Sequence, residues 1–108
     1  MPTIYNYYVS EYDDFILYAE GFNWNSKVFV YDKTDKTWWY ARLVQVTEYD
    51  LGKDEPQKEE NFMGVVVSDY EGEFVTDDGI YYVLTIITGG GIPIKNPPSV
   101  IYNGRKIL

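Results

Sequence analysis

The sequence contains neither cysteine nor histidine, and these two absences exclude several kinds of site. Without cysteine the chain can form no disulfide and no thiolate metal site, and it has no cysteine nucleophile. Without histidine it lacks the most common general base and the most common metal ligand. We therefore expect no metal, no cofactor and no catalytic residue, and the lack of disulfides favours a cytoplasmic location.

Basic residues are also scarce, because 9 Lys and Arg stand against 17 Asp and Glu and the formal net charge is −8. An acidic surface repels nucleic acids and anionic membranes, since proteins bind both through Lys and Arg. No apolar run approaches the roughly 20 residues that a membrane-spanning helix needs, and the first residues lack the features of a signal peptide. We expect a protein partner with a basic surface, and neither nucleic acid nor a membrane as a direct ligand.

Aromatic residues, by contrast, are abundant: they make up 19% of the 108 residues, with 12 Tyr, 3 Trp and 5 Phe. This composition favours β-strands, and the rings are too numerous for all of them to fit into one small core. Tyr and Trp are common at protein interfaces, because they bury a large area at low entropic cost. The length and composition predict a single β domain over residues 1–108, with some of its rings on a binding surface.

The order of the apolar segments indicates a small β fold. Alternating or β-branched segments predict strands at 3–9, 27–32, 38–47, 62–70, 80–88 and 100–102. The second and third of these form a hairpin, and the Asp-Asp-Gly sequence at 77–79 predicts a type I′ turn. Residues 10–21 fit a short helix and a strand equally well. The pattern favours a small antiparallel barrel or sandwich of five to seven strands, with one short helix near residues 10–21 as the open alternative.

The segment 48–61 interrupts the strand pattern, because it is rich in acidic residues, contains Gly52 and Pro56 and has few apolar side chains. This composition predicts an exposed, mobile acidic loop. We expect its carboxylates to contact the partner. They are Glu48, Asp50, Asp54, Glu55, Glu59 and Glu60.

The middle of the chain carries a short family pattern. The apolar segment 27–32 contains an aromatic residue near its end, a turn follows, and the segment 38–44 places an aromatic residue two positions before Ala41. A valine-rich segment, 64–70, ends in another aromatic residue. In this order the features resemble a Tudor-type small β-barrel, and the resemblance covers residues 27–75.

The Tudor resemblance implies a cage of aromatic rings that holds a methylated Lys or Arg through cation–π attraction. By position it places Tyr31, Trp39 and Tyr70 in that cage, whereas Ser68 stands where the family often has a further ring. The alternative interpretation is that Trp38 or Trp39 belongs to the core and that the opposite face of the strand is solvated.

Three hypotheses about function follow, and none of them is catalytic. Neighbouring carboxylates such as Asp13–Asp14 and Glu59–Glu60 would point to opposite faces of a strand, so they do not converge on one bond. The first hypothesis is an acidic binding domain that inhibits its target by occupying a basic, nucleic-acid-binding site. Small phage-encoded antagonists of bacterial nucleases have this size and charge. The alternatives are a Tudor-like reader of methylated peptides and a virion or assembly component that associates through its edge strands.

Overall fold

The computed structural model describes residues 4–64, 68–95 and 99–101, and all regular secondary structure in these ranges is β-strand. Within them no helix is long and apolar enough to cross a membrane. The strands are β1 (Ile4–Asn6), β2 (Tyr8–Glu11), β3 (Phe15–Ala19), β4 (Val28–Asp32), β5 (Thr37–Asp50), β6 (Pro56–Asn61), β7 (Tyr70–Val75), β8 (Ile80–Pro93) and β9 (Ser99–Ile101).

The principal sheet has the order β2-β3-β4-β5-β8-β7, and every neighbouring pair in it is antiparallel. One edge of β5 has two partners in turn: its first half pairs with β4, and its second half pairs with β6. The sheet curls until β2 contacts β7, and the Glu73 amide donates a hydrogen bond to the hydroxyl oxygen of Tyr12, just after β2, across this seam at 2.8 Å. The prediction of a small antiparallel barrel is thus confirmed, with a separate parallel pair formed by β1 and β9.

Two apolar clusters lie on the two surfaces of this sheet. The barrel interior contains Leu17, Ala19, Val28, Val30, Leu43, Val46, Phe74, Leu84 and Ile86. A second cluster, on the outer surface of β2, β3 and β4, contains Tyr7, Val9, Tyr18 and Phe29, and Ile94 packs against it. Because side chains alternate along a strand, burial on both surfaces explains why several of these segments are apolar almost throughout.

The segment 10–21 is β-structure, so the helical alternative is wrong. The strands β2 and β3 form a hairpin in which Val9 pairs with Tyr18. Leu17 points into the barrel while Tyr18 joins the outer cluster. The apolar run that also fits a helix face is therefore a strand with both of its surfaces covered.

The predicted hairpin of 27–32 and 38–47 is confirmed as β4 and β5, although β5 extends to Asp50. The predicted strand 80–88 is confirmed as part of β8, which lies between β5 and β7. The predicted strand 62–70 is wrong at its ends, because 62–64 and 68–69 are not in a strand, and Val65–Val67 lie outside the described residues.

The turn between β7 and β8 is confirmed at 77–79, but its type differs from the prediction. Gly79 has a φ of 82°, whereas Asp78 does not have the positive φ that a type I′ turn requires. The Gly79 amide donates a hydrogen bond to the Thr76 carbonyl at 3.1 Å. This geometry is that of a three-residue hairpin loop, in which a turn of type I geometry is followed by a left-handed glycine.

The prediction of a loop over the whole of 48–61 is wrong at both ends. The strand β5 continues through Glu48, which pairs with Lys58 of β6, so only Leu51–Glu55 connect the two strands. All six residues of β6 are exposed. A strand with both surfaces in solvent needs no alternating apolar pattern, because backbone hydrogen bonds attach it to the sheet.

Candidate functional site

A β-bulge in β5 decides which of its side chains point outward. Leu43 pairs with Ile86 of β8, but Gln45 pairs with the preceding residue, Thr85, so Val44 is an extra residue in β5. An insertion of one residue reverses the alternation of a strand. The outward side chains are therefore Trp38, Tyr40 and Arg42 before the bulge and Gln45, Thr47 and Tyr49 after it.

Beyond the bulge, the strands β6, β5, β8 and β7 lie side by side and present one continuous outer surface, which we call the acidic face. Its side chains are Gln45, Thr47, Tyr49, Glu59, Asn61, Glu71, Glu73, Val75, Tyr81, Val83 and Thr85. All of them except Thr47 are partly or fully exposed. No Lys or Arg occupies any of these described positions, whereas three Glu do.

The carboxylates lie at the two edges of the acidic face, and tyrosine rings lie between them. Glu59 is on β6, while Glu71 and Glu73 are on β7. The three strand spacings between β6 and β7 put the two edges about 14 Å apart. Tyr49 and Tyr81 pair across the central strands with ring centroids 5.4 Å apart. The arrangement offers amphipathic rings at the centre of a surface and negative charge at its rim.

Two hydrogen bonds hold the carboxylates of the acidic face in place. The Gln45 side-chain amide donates to Glu59 at 2.7 Å, and the Tyr81 hydroxyl donates to Glu73 at 2.5 Å. The hydrogen bond to Glu73, assisted by burial and by the negative charge of Glu73, raises the pKa of Tyr81 to about 12. The Glu59 and Glu73 carboxylates are therefore held in fixed orientations.

Replacing Glu73 with Gln should lower the pKa of Tyr81 from about 12 towards its ordinary value of 10, because a neutral acceptor does not repel the phenolate. The hydrogen bond between Tyr81 and Glu73 stabilises the folded protein fully below pH 10, and this stabilisation is lost as the pH rises through about 12. The reason is that the tyrosine hydroxyl loses its proton at a lower pH in the unfolded chain than in the folded protein. Absorbance titration of wild type, Glu73→Gln and Tyr81→Phe would measure this, the last variant identifying the tyrosine. Identical titration curves for wild type and Glu73→Gln would contradict the assignment.

The structure does not bring the predicted acidic residues together on one surface. Glu59 is on the acidic face, but Glu48 and Glu60 point to the other side of the hairpin, where they flank Lys58. The Asp50 carboxylate accepts a hydrogen bond from the Gly52 amide at 2.9 Å and so shapes the turn. The last two predicted acidic residues lie at the exposed end of the β5–β6 hairpin: Asp54 and Glu55.

Lys58 partly neutralises the inward side of this hairpin. Its ammonium group lies 2.6 Å from the Glu60 carboxylate. The hydrogen bond to Glu60 and the charges of Glu60 and Glu48 raise the pKa of Lys58. In the described ranges no group of three or more Asp and Glu is arranged to hold a metal ion. The side that carries Glu48 and Glu60 is thus less negative than the acidic face.

The three residues that the Tudor resemblance assigned to a cage do not surround one point. Tyr31 pairs with Trp38 whereas Val30 pairs with Trp39, so Tyr31 and Trp39 point to opposite surfaces of the sheet. The Tyr31 ring contacts Trp38, with centroids 5.1 Å apart. Tyr70 instead packs against Phe15, at 4.8 Å. The expected cage of Tyr31, Trp39 and Tyr70 is therefore not formed.

The sequence interpretation missed the half of the acidic face that β7 and β8 contribute. Glu71 and Glu73 are two positions apart in β7, which begins at the last residue of the predicted strand 62–70. The alternation of Glu71 and Glu73 with the buried Gly72 and Phe74 was the signal in the sequence that could have located them.

Comparison with known protein families, with curated proteins and with solved structures finds no match to this chain.

Proposed function

We propose that this protein is a non-enzymatic binding domain that inhibits its target by docking the acidic face onto a basic, nucleic-acid-binding surface. The observation that carries the proposal is the charge of this face: Glu59, Glu71 and Glu73 form its rim, and no described side chain on it is positive. Carboxylates at a rim steer a basic partner and determine its orientation, while central aromatic rings supply anchoring contacts.

The spacing of the carboxylates supports a partner that normally holds nucleic acid. The two edges of the face are about 14 Å apart, close to the roughly 12 Å width of the DNA major groove. Glu71 and Glu73 follow one edge at a separation of about 7 Å, which is two residues along a strand. A surface with negative charge along two separated lines competes for Lys and Arg side chains that otherwise contact phosphates.

Affinity capture from a cell lysate tests the proposal when the bait is compared with two charge variants. The first variant changes Glu59, Glu71 and Glu73 to Gln. The second changes three exposed carboxylates on the β2–β3 and β4–β5 turns to amides, and these are Asp13, Asp14 and Asp35. Removing three negative charges takes the formal net charge from −8 to −5 in both, so the variants differ only in where charge is lost.

We expect wild type and the turn variant to retain the same basic protein and the acidic-face variant to lose it, with affinity at least about tenfold lower. Duplex DNA should displace the partner from wild type, and retention should fall as the salt concentration rises. Equal losses in the two variants would show that net charge alone attracts the partner. A complex that still binds DNA with undiminished affinity would contradict occupation of the nucleic-acid site.

A further inference from the structure

Three of the large apolar side chains that the barrel leaves exposed line one open groove of about 920 Å³, which we call the aromatic groove. Trp24 is 74% exposed, Tyr40 60% and Met63 45%. The groove lies where β4 begins and β6 has ended, beside Arg42 of β5. Trp, Tyr, Met and Arg are the residue types enriched at the centres of protein interfaces. The groove therefore has the composition of a docking surface.

A short turn holds Trp24 away from the barrel. The Ser26 amide donates a hydrogen bond to the Asn23 carbonyl at 3.0 Å, and the Asn23 amide donates to the Ser26 hydroxyl at 3.1 Å. These bonds constrain the backbone on both sides of Trp24. A side chain that is presented on an ordered turn loses less entropy when it binds.

The charges around the aromatic groove have the opposite sign to the charge of the whole protein. Lys27 and Arg42 are exposed and line it, and no Asp or Glu is among its described lining residues. In a chain of net charge −8, this places two positive side chains beside aromatic rings, and the nearby Glu20 carboxylate accepts a hydrogen bond from the Lys27 amide at 3.3 Å. Its complement is a segment that combines an apolar side chain with carboxylates.

The same chain carries such a segment at the end of the β5–β6 hairpin, which we call the acidic tip (Leu51–Glu55). Leu51 is 60% exposed, and Lys53, Asp54 and Glu55 follow it, so that two carboxylates outweigh one ammonium group. The Leu51 amide donates a hydrogen bond to the Gly79 carbonyl at 3.1 Å. This bond anchors the tip beside the acidic turn of the β7–β8 hairpin.

We propose that the protein associates with itself head to tail, with the acidic tip of one copy seated in the aromatic groove of the next. Within one chain Arg42 and Asp50 are eight residues apart along β5, or about 26 Å, so tip and groove of the same copy do not meet. Because the two surfaces differ, each contact leaves one tip and one groove unfilled. Repetition of the contact generates a ring or a chain of copies.

Sedimentation velocity of the full chain tests this from about 10 μM to about 1 mM, the range in which a modest contact becomes populated. Salt at about 0.15 M shortens the Debye length to about 8 Å and reduces the repulsion between acidic copies. The mass of wild type should rise above the 12.6 kDa of one copy. Leu51→Asp, which alters only the tip, and Trp24→Ala, which alters only the groove, should each weaken association at least about tenfold. Trp24→Phe should retain it.

The deciding experiment mixes the two defective proteins in equal amounts. Leu51→Asp keeps a working groove and Trp24→Ala keeps a working tip, so the mixture should form a dimer of twice 12.6 kDa and stop there. Both positions are exposed, and unchanged circular dichroism would verify that each variant is folded. A wild type that stays at 12.6 kDa, or a mixture that forms no dimer, would overturn the proposal.

The residues of this contact are separate from those of the proposed inhibitory surface. Changing Glu59, Glu71 and Glu73 to Gln should abolish capture of a basic partner and leave self-association intact, since these residues belong to neither the tip nor the groove. If that variant lost self-association as well, the acidic face rather than the tip would hold the copies together, and the head-to-tail proposal would fail. Loss of partner capture in Trp24→Ala would instead count against the acidic face as the inhibitory surface.

Discussion

Phe74→Ala is expected to lower the free energy of unfolding by about 3–5 kcal/mol. The ring of Phe74 is fully buried among the inward side chains of the barrel, and its centroid lies 5.6 Å from that of Phe22. Its removal takes away buried apolar surface and leaves a cavity that a closed sheet cannot fill by collapsing. A domain of this size has a total stability of about 5–15 kcal/mol, so the variant should be close to unfolding at 37 °C.

Urea denaturation followed by tryptophan fluorescence would measure this loss. Val75→Ala is the matched control, because Val75 is the next residue of β7 but lies on the acidic face and is partly exposed. We expect a small loss there, of roughly 1 kcal/mol or less. If the two variants were equally stable, Phe74 would not be at the centre of the core and the inward–outward assignment of β7 would be wrong.

Gly72→Ala is expected to destabilise the protein by about 1–3 kcal/mol through overpacking. A Cβ atom at this position would lie 2.1 Å from Leu17 Cδ1, and Leu17 is fully buried and has little room to move. The intrinsic preference of strands works in the opposite direction, since Ala is favoured over Gly by about 0.5–1 kcal/mol. We expect the steric clash to exceed this preference.

Thermal and urea unfolding of Gly72→Ala should be compared with Gly52→Ala, whose new Cβ would lie no closer than 3.5 Å to Asp50 Oδ1. Combining Gly72→Ala with Leu17→Val removes the atom that clashes. The double variant should therefore be more stable than the sum of the two single effects predicts. Additive losses, or a Gly72→Ala protein as stable as wild type, would mean that β3 and β7 do not approach each other as closely as described.

The acidic tip and the acidic face meet where β5 ends, so a molecule bound to one of them lies close to the other. Tyr49 belongs to the face and Leu51 to the tip, two residues further along the chain. A copy whose tip is seated in a groove would therefore bring another molecule close to the edge of its acidic face. A large basic partner and a second copy would then compete, and adding the partner should lower the mass of the self-associated species.

Much of the local structure could be predicted from the sequence, because it depends on interactions between neighbouring residues. The alternation in 28–32 and 38–47 indicated the β4–β5 hairpin, and the Asp-Gly pair located the β7–β8 turn. The composition also established the acidity and the excess of aromatic residues that both proposals use. These features need only the two-residue period of a strand and the φ preference of glycine.

The orientation of individual side chains depended on pairing with distant strands. Val44 lies in an unbroken strand pattern, yet the pairing of β5 with β8 leaves it without a partner. It therefore forms a bulge, which reverses the direction of every later side chain in β5. The register of β4 against β5 places Tyr31 and Trp39 on opposite surfaces, so the expected cage does not form. The two-residue period of a strand means that consecutive side chains point to opposite surfaces, but only the pairing with a neighbouring strand determines which of them points outward.

Residue types and their alternation along the sequence were enough to predict a small antiparallel β fold with a negative charge and many aromatic rings, and to exclude cysteine and histidine chemistry. Strand pairing in the folded protein established that Phe15–Ala19 is a strand, that Pro56–Asn61 pairs with β5, and that the acidic face and the aromatic groove are separate surfaces. Composition and alternation are local properties of the chain. Closure of a sheet and the register of its strands arise from contacts between residues far apart in sequence.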